Sequence, residues 1–252
     1  MVRHRQPGNG SCTPRQYNLL QVFTLDKVVP WGRSFDEYCR MFSLTDDDLA
    51  GRIIGCADGP AGFNAEATRR GAHVVSCDPI YAFSGSEIRS RIDATSRDII
   101  EQTRQNQQEF VWTSFTSPEE LLAARLQAME VFLADYDRGK DEGRYVAADL
   151  PVLPFEDGSF DIAVCSHFLF LYSEQLGAPF HHDAIKEMCR VAKEVRIFPL
   201  LALGGIGSSY VAPVADSFRQ LGCKVSIERV PYEFQRGANK MMRIGSGGKT
   251  EA

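Results

Sequence analysis

The segment Arg52–Asp78, RIIGCADGPAGFNAEATRRGAHVVSCD, restricts the fold more strongly than any other stretch of the chain. A short apolar run, visible as Ile53–Ile54, enters a turn of glycine, alanine and proline over Gly55–Gly62. The turn opens a helix over Phe63–Arg70, with Gly71 as its C′ residue, and a second apolar run, His73–Cys77, ends on one acid. This strand–loop–helix–strand layout lays a nucleoside-bearing cofactor across its first turn. Small residues in Gly55–Ala61 let the backbone approach a ligand, and Gly59 can hold a positive φ. The helix start offers free N–H groups to a carboxylate or phosphate. Asp78 ends the second strand 19 residues after Gly59, where a carboxylate can accept both ribose hydroxyls. A strand-end acid equally suits a turn or a helix cap, and the spacing fits either a nicotinamide or an adenosyl cofactor.

Strand and helix signals alternate through the rest of the chain. Ser34–Phe42 reads as a helix capped by Ser34, and Leu44–Leu49 as an acidic turn. Tyr145–Ala148, Ile162–Cys165 and Val195–Phe198 read as strands. Asp183–Ala192, capped by Asp183, and Tyr210–Leu221, stopped by Gly222, read as helices. Val225–Val230 and Lys240–Ile244 form a closing strand pair. The expected fold is α/β and doubly wound: a mostly parallel seven-stranded sheet with helices on both faces. With 252 residues and 44% hydrophobic content, 17–252 is expected to form a single domain after a disordered tail over 1–16.

One connection is too long for a simple crossover, because about 66 residues separate Asp78 from Tyr145. Most of them read as helix. Ile88, Ile92 and Ile99 mark one apolar face; Leu122, Leu126, Met129, Leu133 and Tyr136 mark another. Ser117 and Pro118 stand at the N-cap and N1 positions of the second helix, and an aromatic link, Phe110–Phe115 with Trp112, joins the two. The insert over 82–143 is expected either to pack on the sheet edge or to cap the cofactor crevice as a helical lid.

The net charge of −5 and pI near 5.6 give no global field that would favour nucleic acid. The seven cysteines are scattered, without a Cys-x-x-Cys pair, which fits free thiols in a reducing compartment and a cytoplasmic protein, and no metal site is expected. No membrane association is expected either, and the oligomeric state is not legible.

A third block, Val146–Tyr172, reads VAADLPVLPFEDGSFDIAVCSHFLFLY. Together the three blocks resemble the class I S-adenosylmethionine-dependent methyltransferases over roughly Ile53–Ile244. That family joins strands 3 and 4 by a pattern that stands here as Asp149, Leu153-Pro154-Phe155 and Asp157-Gly158-Ser159-Phe160-Asp161. The resemblance implies S-adenosylmethionine as cofactor. It implies that the loop of Gly55, Cys56, Ala57, Asp58, Gly59 and Pro60 cradles the methionine moiety, that Asp78, followed by Pro79, holds the ribose, and that Asp149 and Leu150 flank adenine. Ser166 and His167 would follow strand 4 at the floor of the transfer site, while Asp161, at the opposite end of that strand, would be a structural cap. The implied reaction is methyl transfer to a small-molecule acceptor.

The chain departs from the family at Gly55, where an acid is common; Asp58, three residues later, is the candidate substitute. That departure keeps open a cofactor-binding regulatory or interaction protein without efficient turnover. A nicotinamide-dependent oxidoreductase is a third reading, weakened because the glycines at 55, 59 and 62 do not form Gly-x-Gly-x-x-Gly. Arg33 could pair with the methionine carboxylate, its guanidinium fork matching that geometry, or be capped by Glu37. His167 is the candidate general base, by position and by the ordinary histidine pKa, or a packed strand-end residue. His181 and His182 are adjacent, so their side chains diverge.

Overall fold

The computed structural model describes residues 31–245; the expected tail over 1–16, the stretch Tyr17–Val29 and Cys12 lie outside them. Seven strands run β1 (Arg52–Cys56), β2 (His73–Cys77), β3 (Tyr145–Val146), β4 (Phe160–Ser166), β5 (Ala192–Phe198), β6 (Lys224–Arg229) and β7 (Lys240–Gly245). They form one sheet in the order β3-β2-β1-β4-β5-β7-β6. β1 to β5 are parallel, and β7 lies antiparallel to both β5 and β6. The strand order reverses between β1 and β4, which opens a crevice at their carboxyl ends.

Alternation along the strands divides the core in two. Ile54, Ala163 and Val195 face one side with Ala184, Ile185 and Met188 of α6 (Ala178–Val191) and Val214, Ala215 and Phe218 of α7 (Val211–Gln220). Ile53, Val74, Ile162 and Val164 face the other, against Phe35, Tyr38, Met41 and Phe42 of α1 (Phe35–Phe42) and Phe63 and Ala67 of α3 (Phe63–Arg69). Each fully buried Val, Ile, Met or Phe among them stabilises the fold by about 1.5–3 kcal/mol. Cys56 stands in register with Cys77 on one neighbouring strand and Cys165 on the other, and all three thiols are buried in the first of these cores.

Several expected boundaries shift, each for a local reason. Leu44–Leu49 is not merely a turn: α2 (Asp46–Ala50) forms because Thr45 and Asp48 complete a capping box with three acids in the first turn. Asp48 also holds Arg196, a buried strand residue, through two hydrogen bonds of 2.9 Å. β3 ends at Val146 rather than Ala148, since the chain then tightens into a turn in which Val152 N–H donates to the Asp149 carbonyl. α6 begins at Ala178 with Gly177 at the N-cap and Pro179 in its first turn, so Asp183 and both histidines lie inside the helix. His181 is buried there, its ring nitrogens 3.0 Å from the carbonyls of Gly177 and Leu169.

The long connection forms α4 (Gly85–Gln105) and α5 (Pro118–Asp141). Ile88, Ile92 and Ile99 are buried as expected. α5 instead turns Leu121, Arg125, Ala128 and Phe132 inward together with Met129 and Tyr136, and leaves Leu122, Leu126 and Leu133 half-buried. The helix is rotated from its apparent apolar stripe because α5 packs against α3 as well as α4. It approaches the β1–α3 loop so closely that a Cβ on Gly62 would meet the carbonyl of Ala128. Among the described residues, no helix is long and apolar enough to cross a membrane.

Candidate active site

The carboxyl ends of β1 to β4 converge on a cavity of about 560 Å³, a volume usual for sites that take small molecules and cofactors. Its floor is formed by Ala57–Pro60 after β1, Asp78, Pro79 and Ile80 after β2, Ala148–Leu150 after β3, and Ser166 and His167 at the end of β4. Asp78 binds the first two of these segments together. One carboxylate oxygen accepts the Gly59 N–H at 2.9 Å and the other the Ile80 N–H at 2.8 Å, where Asp78 caps the short 3₁₀ turn Pro79–Ala82. Asp78 is thus both a turn cap and a cavity residue. Burial raises its carboxyl above the ordinary value; the two N–H bonds oppose that rise, and the charge of Asp149 adds to it.

Gly55 and Asp58 form one unit. A Cβ on Gly55 would overlap the carboxylate of Asp58, which therefore occupies the space that a side chain at the end of β1 would fill. The Asp58 carboxylate accepts a hydrogen bond of 2.8 Å from the Tyr38 hydroxyl and one of 2.6 Å from the Ser76 hydroxyl. Burial pushes its pKa up to about 6, although both hydrogen bonds oppose the shift. Gly55 and Cys56 themselves do not line the cavity, because Gly55 lies beneath Asp58 and Cys56 faces the core. The carboxylate at the end of β1 thus comes from three residues downstream of Gly55.

Arg33 lines the cavity beside this loop; its own carbonyl accepts the Gly62 N–H at 3.0 Å. Its guanidinium donates to the Trp31 carbonyl at 3.0 Å, and its Nε is buried without a partner. Glu37 does not cap it. That carboxylate instead takes up Arg125, the Ser34 N–H and, at 2.9 Å, the Tyr232 hydroxyl. Burial alone would raise Glu37, but the charge and hydrogen bond of Arg125 and the Ser34 backbone bring it down to about 2. Arg125 and Glu37 are 1% and 3% exposed, so this is a buried ion pair joining α5 to α1 and to the β6–β7 loop. Sequence reading misses it, since its members stand 88 and 195 residues apart.

His167 lies in the cavity with φ of 52°, its N–H donating to the Phe198 carbonyl at 2.7 Å and its Nδ1 2.8 Å from the Ser166 hydroxyl. Burial, reinforced by the charges of Arg33 and Arg125, holds its imidazole well below the ordinary 6.5. The ring is neutral at physiological pH and a weak proton acceptor, contrary to what its residue type suggests.

The far wall comes from elsewhere. α4 contributes Ile99 and Thr103, α5 contributes Leu121, and the link between them contributes Glu109 and Phe110. Phe110, Trp112 and Phe115 gather around Phe234 of the β6–β7 loop, with the Phe110 and Phe234 rings stacked at 4.8 Å. The structure therefore brings together eleven residues singled out in the sequence, namely Arg33, Ala57, Asp58, Gly59, Pro60, Asp78, Pro79, Asp149, Leu150, Ser166 and His167. It adds Tyr38, Glu109 and Phe234, which no motif marks.

A model of a methyltransferase domain matches residues 116–195, from the start of α5 into β5. An uncharacterized protein of Methanocaldococcus jannaschii is 32% identical over 229 residues, covering 89% of this chain and 99% of that protein. Similar solved structures include magnesium protoporphyrin IX methyltransferase from Synechocystis with bound SAM, at 11% identity and a TM-score of 0.42 over 84% of this chain and 90% of that one. A SAM-dependent methyltransferase from Aquifex aeolicus is 12% identical, with a TM-score of 0.40 over 83% and 87% of the two chains.

Proposed function

We propose that the chain is a class I S-adenosylmethionine-dependent methyltransferase and that it transfers the methyl group of that cofactor to a small-molecule acceptor enclosed beneath the α4–α5 insert. The reading is carried by one observation: three acids from three different strand ends, Asp58, Asp78 and Asp149, line one cavity of cofactor size. These residues fit the cofactor's chemistry. Asp58, buried and near the cavity floor, is an anion waiting for a cation, which suits the amino-acid ammonium. Arg33, with a buried Nε lacking a partner, suits the carboxylate of the same moiety. Asp78 keeps acceptor capacity on both oxygens for the ribose hydroxyls, and Asp149 with Leu150 offers an acceptor and an apolar face for adenine. Gly55 contributes by leaving room for Asp58.

When bound, the cofactor supplies a sulfonium methyl: the acceptor's lone pair forms the new bond to carbon while the carbon–sulfur pair returns to sulfur, leaving S-adenosylhomocysteine. The chain's own part is alignment and exclusion of water. Backbone loops fixed by Asp78 set the floor, and α4, α5 and the β6–β7 loop close the opposite side. His167, neutral and tied to Ser166, orients that floor. The insert acts as a lid in this reading, which limits the acceptor to molecules that fit beneath it.

Calorimetric titration with S-adenosylhomocysteine tests the cofactor site. Asp78→Asn is expected to weaken binding by roughly 10- to 100-fold, the usual worth of a hydrogen bond to a charged group. Unchanged affinity would sink the reading. Incubation with the low-molecular-weight and macromolecular fractions of a cell extract tests the acceptor class. Release of S-adenosylhomocysteine is expected with the former; release confined to the latter would refute a small acceptor.

A further inference from the structure

Beyond the floor, the cavity continues into a chamber whose walls come from separate segments. Phe110 and Phe234 stack on one side, Phe168 and Phe180 meet edge-on at 6.1 Å on another, and Leu203 is tied to Leu171 by a backbone hydrogen bond of 3.0 Å. Such walls favour a flat apolar body, above all an aromatic one.

One carboxylate stands among these side chains. Glu109 ends the 3₁₀ turn Gln107–Glu109, and its position is fixed by its backbone: its carbonyl accepts the Arg236 N–H at 2.8 Å, next to the bridge between Phe110 and Gln235. Its Oε2 is buried and has no hydrogen-bond partner. The nearby guanidinium of Arg236 is directed elsewhere, donating to the carbonyls of Gln108 and Phe110. A carboxylate that lines an apolar cavity without a donor is costly to keep there, so a ligand that brings a donor to this side chain gains affinity. The other charged side chain of the insert at the cavity, Arg91, belongs to the opposite end. It is exposed, and its guanidinium lies 3.3 Å over Phe83, which is bonded through its N–H to Ile80 beside Asp78.

We infer that the acceptor is a small aromatic molecule carrying a protonated amine, with the amine seated on Glu109 and the ring packed against Phe110 and Phe234. The inference rests on the methyltransferase reading for the word acceptor, but the chamber's preference for an aromatic amine does not. A nitrogen held there as an ammonium has no lone pair to attack with, so it serves recognition, and the methylated atom is another nucleophile of the same molecule.

Tryptamine, tryptophol and indole-3-acetate share one ring system and differ in the charge of the side chain. Their binding is measured by calorimetry on the full chain, with and without S-adenosylhomocysteine. Tryptamine is expected to bind at least tenfold more tightly than either analogue. Glu109→Gln is expected to abolish that preference, while tryptophol, measured in parallel, reports whether the chamber has kept its shape. Equal or tighter binding of the alcohol or the acid, no binding of any of the three at millimolar concentration, or a preference that survives Glu109→Gln overturns the inference. The comparison of ligands on the unaltered chain stands even where the variant fails to fold. A preference for the amine in a protein that ignores S-adenosylhomocysteine would overturn the cofactor reading alone.

Discussion

The two ends of the cavity are built by different means. Its floor is backbone held by short acids: Asp78 bonds two loops through their N–H groups, Asp58 fills the space over Gly55, and every segment leaves a strand of the sheet. Its roof is side chain held by side chain: aromatic rings from the insert and the β6–β7 loop, and one buried ion pair, Arg125 with Glu37, that fixes α5 to α1. Floors of the first kind suit a ligand that never changes, because their geometry follows from strand register. Roofs of the second kind can be rebuilt by a few substitutions, which suits the part of the site that chooses an acceptor.

The sharpest way to break this comparison is to remove the roof's anchor. Arg125→Met leaves the Glu37 carboxylate buried with only the Tyr232 and Ser34 groups to satisfy it. Breaking one side of a buried pair costs about 3–5 kcal/mol, and urea denaturation at neutral pH should show a loss of that size. The double change Glu37→Gln with Arg125→Met should recover part of it, since no charge is then stranded. A loss under about 1 kcal/mol, the usual worth of an exposed pair, would mean that the roof is held by its rings alone.

The floor was largely legible in the sequence and the roof was not, for a physical reason. Asp78, Asp149 and Ser166 each follow an apolar run, so their convergence follows from the parallel register of β1 to β4. The substitution of Asp58 for an acid at Gly55 was open to suspicion from their proximity in sequence, but Tyr38 and Ser76, the groups that hold it, carry no signal. In the roof, Arg125 sits on the buried stripe of α5, where a charged residue reads as solvent-facing, while the apparent apolar stripe runs through Leu122, Leu126 and Leu133. Glu109 and Phe234 reach the cavity through the bridge between Phe110 and Gln235, one residue pair 125 positions apart, which leaves no periodic trace.

Acid-dependent stability sharpens the contrast from the side of the floor. The Asp58 carboxyl is held at about 6 in the folded chain against an ordinary 3.8. Below pH 3.8 both states are protonated and the group contributes no difference. As pH rises from there, the unfolded chain releases its proton first, so stability falls across the window between the two values and levels off above the higher one. The full drop is about 3 kcal/mol at 1.36 kcal/mol per unit. Asp58→Asn should lack this slope, so the unaltered chain loses ground to the variant between those limits, as read by urea denaturation at several pH values. Parallel curves would show that Asp58 ionises normally and that burial at the end of β1 exerts no strain on it. Saturating S-adenosylhomocysteine should flatten the slope too, by placing a cation against the carboxylate.

The smallest effect is expected where floor and roof meet, at His167. Its backbone is bonded to Phe198, its ring packs edge-on against Phe198 at 5.4 Å, and its Nδ1 is engaged with Ser166. Uptake of a proton from an acceptor would create an imidazolium in a buried site that already feels Arg33 and Arg125, and both burial and those charges oppose it. His167→Asn preserves a side chain that tolerates positive φ, and it should lower turnover by less than about tenfold, whereas loss of a working general base costs about 10²–10⁴-fold. The same point can be read without an acceptor. The His167 ring should show no titration midpoint by NMR at or above the ordinary 6.5. A ring that titrates there, together with a hundredfold loss in the Asn variant, would make His167 the base after all and would give the floor a chemical role beyond holding the cofactor.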